Sequence, residues 1–382
     1  MRANQGSPET ATTPGRRFYE PELDALRFFA FLAVFYVHSA PSGYAQLGRY
    51  GSLLPGLLLA VRNASAFGLC MFFLLSSYLI TKLLSLEQAA TGSIHLKSFY
   101  VRRVLRIWPL YLGFVALMWL LGRYQVFDPV ETGQLLAFLL FAGNFYTARH
   151  GFSYNPIMPL WSISIEEQFY FVWPTLAKFG MRPLKWAAWV VLAAAVPAAW
   201  WIHRSSGDVP REMFTSSFVE FQFFALGALL ALKFPSAGPR YSLGSRLGLL
   251  ALGCAALLVA SGPLHINDSG QTPLPWPLLS LGYEIMALGI VLIFLSVLGI
   301  DGRFVPNSLR YLGKISFGLY VFHFMSLRVC QNISKHYGMP TGFRFFGAAL
   351  MTLALAALSY QFFEKPFLKL KSRFTFVKSR TA

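Results

Sequence analysis

Ten apolar segments divide the chain, near residues 23–41, 66–84, 107–122, 160–178, 184–202, 214–232, 243–262, 276–298, 311–329 and 345–363. Each is about the length a helix needs to cross a hydrocarbon core, roughly 20 residues. A barrel would show short alternating segments instead. The pattern therefore predicts an all-α polytopic membrane protein with about ten transmembrane helices. An eleventh apolar run, residues 134–146, is short for a crossing and is expected to form one re-entrant segment, which needs protein or a water-filled cavity around it. Three regions follow: a disordered tail over 1–19, a membrane domain over 20–370 and a basic tail over 371–382. The first tail carries no small-residue cleavage site and does not read as a removable signal.

The first span is polar where a bilayer should forbid it. Arg27 and His38 lie eleven residues apart, close to three turns at 3.6 residues per turn, so both project from one face about 16 Å apart along the axis. Ionisable residues within a span face a cavity or a partner and point to function. The plainer alternatives are an arginine reaching back to the headgroups and an interfacial histidine. Taken as a pair, the two suggest a polar passage along this helix.

Composition supports the membrane reading, with 55% hydrophobic, 16% aromatic and only 13% charged residues. The formal charge of +17 could suggest nucleic acid, but the Lys and Arg residues sit between apolar spans. With ten crossings and residues 134–146 not crossing, 23 of them fall on the side of the termini and 9 on the other. This bias places both termini in the cytoplasm. Cys70, Cys254 and Cys330 offer neither metal-ligand spacing nor a disulfide pair, and read as small buried hydrophobes.

Further polar groups recur at helical spacing. Arg102 and Arg106 form one guanidinium face with Arg103 beside it, suited to phosphate or, more plainly, to anionic headgroups. The adjacent Glu166 and Glu167 point about 100° apart, so one can face a cavity while the other meets a structural partner. Tyr320 and His323 share a face three residues apart. Ser76 and Ser77, before Tyr78, could equally return their hydroxyls to the backbone. Glu220 and Glu284 are candidate partners for arginines.

Several of these segments, in order, resemble the integral-membrane acyltransferase 3 family: Arg27 with His38, Phe72–Ile80, Arg102–Pro109, Leu160–Pro174, Ser316–His323 and Phe363–Pro366. The likeness covers roughly residues 20–370. Ser77 stands where the family more often has glycine, and the family's additional extracytoplasmic hydrolase-like domain is not expected. The resemblance implies an O-acyltransferase that moves an acyl group, commonly acetyl, from acyl-CoA to a hydroxyl of a carbohydrate or glycolipid at the bacterial plasma membrane. It implies no permanent cofactor and no metal. Its implied catalytic groups are His38 as base, Arg27 near the thioester, and Glu166 or Glu167. Arg102, Arg103, Arg106, Ser76, Tyr78, Trp161, Tyr320 and His323 would contact substrate. The rival reading is a proton-coupled transporter of an anionic solute, which inverted repeats would favour; none is visible. A non-catalytic export subunit is a third.

Overall fold

The computed structural model describes residues 18–40, 53–235, 238–266 and 274–377. Residues 1–17 and 378–382, the bulk of one expected tail and the end of the other, lie outside them. The described residues are helical and contain no strand. In chain order the first helices are α1 (Pro21–Ser39), α2 (Leu53–Ser65), α3 (Gly68–Thr91), α4 (Leu96–Arg123), α5 (Thr132–Leu139) and α6 (Gly143–His150). Then come α7 (Trp161–Ala177), α8 (Met181–Ser205), α9 (Val209–Thr215), α10 (Ser217–Lys233) and α11 (Leu243–Ser261). The last are α12 (Trp276–Val297), α13 (Asn307–Lys314), α14 (Ser316–Tyr337), α15 (Thr341–Leu358) and α16 (Lys365–Lys371).

Every apolar segment predicted from the pattern holds a helix. Residues 134–146 do not form a continuous one: α5 and α6 have 8 residues each, broken at 140–142. Six stretches are long and apolar enough to cross a membrane: Leu54–Thr91, Leu96–Arg123, Met181–Ser205, Leu243–Ser261, Trp276–Val297 and Gly342–Phe374. The pair α9 and α10, bent by 48°, makes a seventh if taken as one span. The remaining predicted spans are α1, α7 and α14. Glu22, Asp24 and Arg27 lie in α1, Glu166 and Glu167 in α7, and His323 and Arg328 in α14. These polar helices are also largely buried, whereas α8, α11 and α15 show large apolar side chains such as Trp189, Trp201, Leu247, Leu252, Phe346 and Leu350 at the surface. Helices α8, α11 and α15 thus lie at the periphery, where lipid would meet them, while the apolar α3 and α10 are buried with the polar helices.

Helix α1 starts at Pro21, whose missing N–H costs nothing in the first turn, with Glu22 and Asp24 at the positive end of the dipole. It ends at an extended Ala40, the conformation favoured before Pro41. It packs against α2, α3, α13 and α14. The two tightest helix contacts both demand glycine. A Cβ at Gly313 of α13 would collide with the Asp24 carbonyl oxygen, and one at Gly227 of α10 with the Leu74 carbonyl oxygen. Beside Gly227, the fully buried Ser77 donates its hydroxyl to the Phe224 carbonyl. The serine therefore clamps α3 to α10 and satisfies itself in an apolar setting.

Two expectations from the sequence need correction. Cys254 is exposed on α11, because that helix turns most of its surface outward; Cys70 and Cys330 are buried free thiols as expected. Glu220 is fully buried but its hydrogen bond is from Cys70 Sγ, 3.6 Å away, and not from an arginine. Glu284 is exposed.

Gly227→Ala should separate α3 from α10, at a cost of about 1–3 kcal/mol for overpacking a tight contact. Thermal unfolding in detergent checks this: the midpoint should drop by several degrees, and an unchanged midpoint would contradict the contact.

Candidate active site

A cavity of about 610 Å³ opens at the end of the bundle where α1 begins. Its wall carries seven basic side chains, Arg27, Arg102, Arg103, Arg106, Lys314, Lys369 and Lys371, against five acidic ones, Glu20, Asp24, Glu87, Glu166 and Glu364. The excess of cations suits a polyanion. The three arginines of α4 all line it, but differ in what holds them. Arg102 donates to Glu87 Oε2 at 2.9 Å and to the Phe374 carbonyl at 2.7 Å, so its guanidinium is largely committed. Arg103 lies over the rings of Phe99 (5.4 Å) and Tyr170 (5.3 Å), with a buried Nε that has no hydrogen-bond acceptor among the described residues. Arg106 lines the cavity and makes no hydrogen bond among the described residues, so its donors are uncommitted.

Deeper in, Arg27 donates to Asp24 Oδ1 at 3.1 Å, and Tyr19 donates to the other oxygen at 2.9 Å. The paired carboxylate fixes the guanidinium on the cavity wall. The two adjacent glutamates divide as their helical spacing requires. Glu166 faces the cavity and accepts from Ser76 Oγ and the Tyr170 hydroxyl. Glu167 turns away and accepts from Trp108 Nε1 at 2.9 Å, which ties α7 to α4. At the cavity mouth, burial lifts the Glu20 carboxyl to about 7, although nearby Lys82 pulls it down.

The cavity's far wall includes Ser162 and Tyr320. The Tyr320 hydroxyl donates to the Pro159 carbonyl at 2.8 Å and lies 2.5 Å from Ser162 Oγ. The Tyr320 ring also sits 5.4 Å from that of His323, which is 5.3 Å from the ring of His38. His323 is fully buried, its Nδ1 2.5 Å from the Tyr320 carbonyl. A carbonyl only accepts, so Nδ1 carries the proton and Nε2 has the lone pair. That Nε2 is buried without a partner among the described residues.

Arg27 and His38 therefore do not share a single cavity wall. Arg27 lines the cavity; His38, exposed on α1, stands beyond its end beside His323. Phe31 and Phe35, buried on α1 between them, interrupt the polar stripe, and the polar route continues on α14. Three other proposed contacts lie off the cavity wall. Tyr78 is fully buried and donates to Glu20 Oε1 at 3.3 Å. Trp161 packs 5.4 Å from the ring of Phe214. Glu167 is the third.

Glu364 belongs to the Phe363–Pro366 segment of the family resemblance, which assigns it no role. It ends a π-helical turn, Ser359–Glu364, that bulges its carboxylate into the cavity beside Ser359 Oγ (3.2 Å). Such turns frequently mark functional positions, but an acid at a span's end gives no sign of one. Residues 365–377 then run along the start of α4 and close part of the wall, with His95 stacked on Phe376 at 4.2 Å. No metal-binding cluster occurs among the described residues.

The chain is 27% identical over 372 residues to a Bacillus subtilis protein named "Putative peptidoglycan O-acetyltransferase YrhL", covering 91% of this chain and 55% of that one. It is 26% identical over 392 residues to "Peptidoglycan O-acetyltransferase OatA" of Listeria monocytogenes, covering 94% and 57%. It thus spans just over half the length of these relatives. No solved structure matches it. Residues 20–361 match the acyltransferase domain family, and the chain belongs to that family.

Proposed function

We propose that this membrane protein moves an acyl group, acetyl by preference, from acyl-CoA to a hydroxyl of a cell-envelope glycan. One observation carries the reading: a cation-rich cavity at one end of the bundle shares Tyr320 with a histidine pair beyond it. The relatives' names support acetyl as the group and a peptidoglycan-type glycan as acceptor. The bias of Lys and Arg toward the cavity's end supports its facing the cytoplasm of a bacterial cell, where acyl-CoA is made, with the short broken α5–α6 segment entering from the opposite side.

Arg106 and Arg103 hold the phosphates of CoA through paired, charge-assisted donors. Arg102, tethered to Glu87 and Phe374, adds charge and anchors the C-terminal segment. Lys314, Lys369 and Lys371 contribute to the field. The acyl arm runs inward past Arg27, which polarises the thioester, and past the Ser76–Glu166–Tyr170 group. His38 takes the proton of the acceptor hydroxyl as the oxygen attacks the thioester carbon, and the proton passes to the departing CoA thiolate. His323, with its lone pair on Nε2, stands beside His38 as a second base or as its relay.

His38→Ala should reduce transfer by about 10²-fold or more, the usual worth of a positioned base. Mass spectrometry of glycans exposed to membranes and acetyl-CoA checks this; full transfer by the variant would remove His38 from the role. Arg106→Gln should raise the KM for acyl-CoA about tenfold with kcat nearly unchanged, since a charge-assisted contact is worth about 1.5–3 kcal/mol. A fall in kcat alone would place Arg106 elsewhere.

The Glu20 carboxyl predicts a pH effect. Neutral below about pH 7 and ionised above, it adds a negative charge at the mouth of a phosphate site as pH rises. The KM for acyl-CoA should therefore increase about threefold from pH 6 to pH 8, the size of one charge acting through a well-screened path. Glu20→Gln should abolish that increase, and an identical profile in the variant would refute it.

A further inference from the structure

A second pocket, of about 650 Å³, lies at the opposite end of the bundle from the basic cavity, between the turn after α4 and the outer half of α14. We infer that it binds the acceptor and that it selects an anionic glycan, through Arg328 and Arg123 as ion-pair donors and Tyr154 as a stacking face.

The turn is a built element. The Asn155 side-chain amide donates to the Asp128 carbonyl, and Gln125 takes a left-handed backbone with φ 59°, a conformation held only where its surroundings impose it. Arg328 lies 4.5 Å above the Tyr154 ring and 5.0 Å from that of Phe324. Its Nε is buried and finds no acceptor among the described residues. Tyr154 itself is 71% exposed, so its free face is open to a sugar ring. Asn332, Gln125 and Asp128 supply amide and carboxylate groups that match hydroxyls. Two arginines against one aspartate leave the pocket cationic, and Arg344 adds to the charge around Arg328.

Position ties the pocket to the chemistry. The Phe324 ring that contacts Arg328 also packs 5.3 Å from His38, and His38 lies within the field of Arg328. A glycan held at Arg328 therefore has its neighbouring hydroxyls near the histidine pair, with the donor approaching from the other end. This role deepens the acyl-transfer proposal and takes its meaning from it, but binding can be read without any donor.

The test titrates purified protein in neutral detergent, without acyl-CoA, with three probes: chitotetraose (neutral), hyaluronan tetrasaccharide (carboxylate) and pentamannose 6-phosphate. At low salt one or both anionic glycans should bind at least about tenfold more tightly than chitotetraose, and which one does assigns carboxylate or phosphate. Arg328→Gln should remove that preference, with Arg328→Lys restoring only part of it. Tyr154→Ala should weaken all three probes alike. Where Arg328→Gln does not elute as a folded species, Arg123→Gln, at an exposed position, carries the same expectation. Equal affinity for the three probes, no binding of any, or a preference that survives both arginine variants overturns the inference. So does loss of the preference on adding phosphatidylglycerol to the micelles, which would assign the pocket to a lipid headgroup. If glycan binding behaves as stated but membranes transfer no acyl group, the pocket stands and the proposed reaction fails.

Discussion

The ion pair between Arg27 and Asp24 is the constraint around which the rest is arranged. A guanidinium on a membrane helix is tolerable only with a counter-charge and a polar surrounding. Asp24, one turn away, gives the first and takes a hydrogen bond from Tyr19. The cavity gives the second. Helix α1 must then be held where the cavity is, and α13 achieves this by bringing Gly313 onto the Asp24 carbonyl itself. The Glu22 carboxylate accepts from the Gly299 N–H at 3.1 Å and fixes the same end of α1 to the loop after α12. Helices α1, α7 and α14 carry polar groups along their length, and α8, α11 and α15 lie outside them with apolar side chains exposed. Function and architecture are thus set by one requirement, that buried charge be paired and surrounded.

The helical architecture was largely legible in the sequence because a span is a local property. Roughly 20 apolar residues declare themselves whatever surrounds them, and each such segment is a helix. That residues 134–146 are too short for a continuous crossing was legible for the same reason; that they break into two helices of 8 residues was not. The split between Glu166 and Glu167 followed from 100° per residue alone. Cys254 shows where local reading stops: an apolar helix does not say which face meets protein and which meets lipid.

The site was only partly legible, and the misses share a cause. Spacing on α1 puts Arg27 and His38 on one face, but it could not show that Phe31 and Phe35 are buried between them. Nor could it show that the polar route crosses to Tyr320 and His323 on α14, because such contacts join residues almost three hundred positions apart. Arg102 looked equivalent to Arg106 by spacing. Only the fold brings Glu87 and Phe374 to Arg102 and leaves Arg106 uncommitted. Glu364 depends on a π turn, whose extra residue per turn has no compositional mark.

The separation of Arg27 from the histidine pair has a chemical consequence for the proposed reaction. Three helical turns span about 16 Å, too far for one small group to serve both ends. A donor with a bulky polyanionic head and a thin arm fits this geometry: the head remains among the cations at the mouth while the arm reaches inward. Tyr320 stands where the arm would end, its hydroxyl tied to Pro159 and its ring beside His323. In the proposed reaction only the acyl end goes past this point, toward a hydroxyl arriving from the other side. Phe31 and Phe35, buried where the stripe would continue, keep the two ends of the proposed reaction from joining along α1 itself.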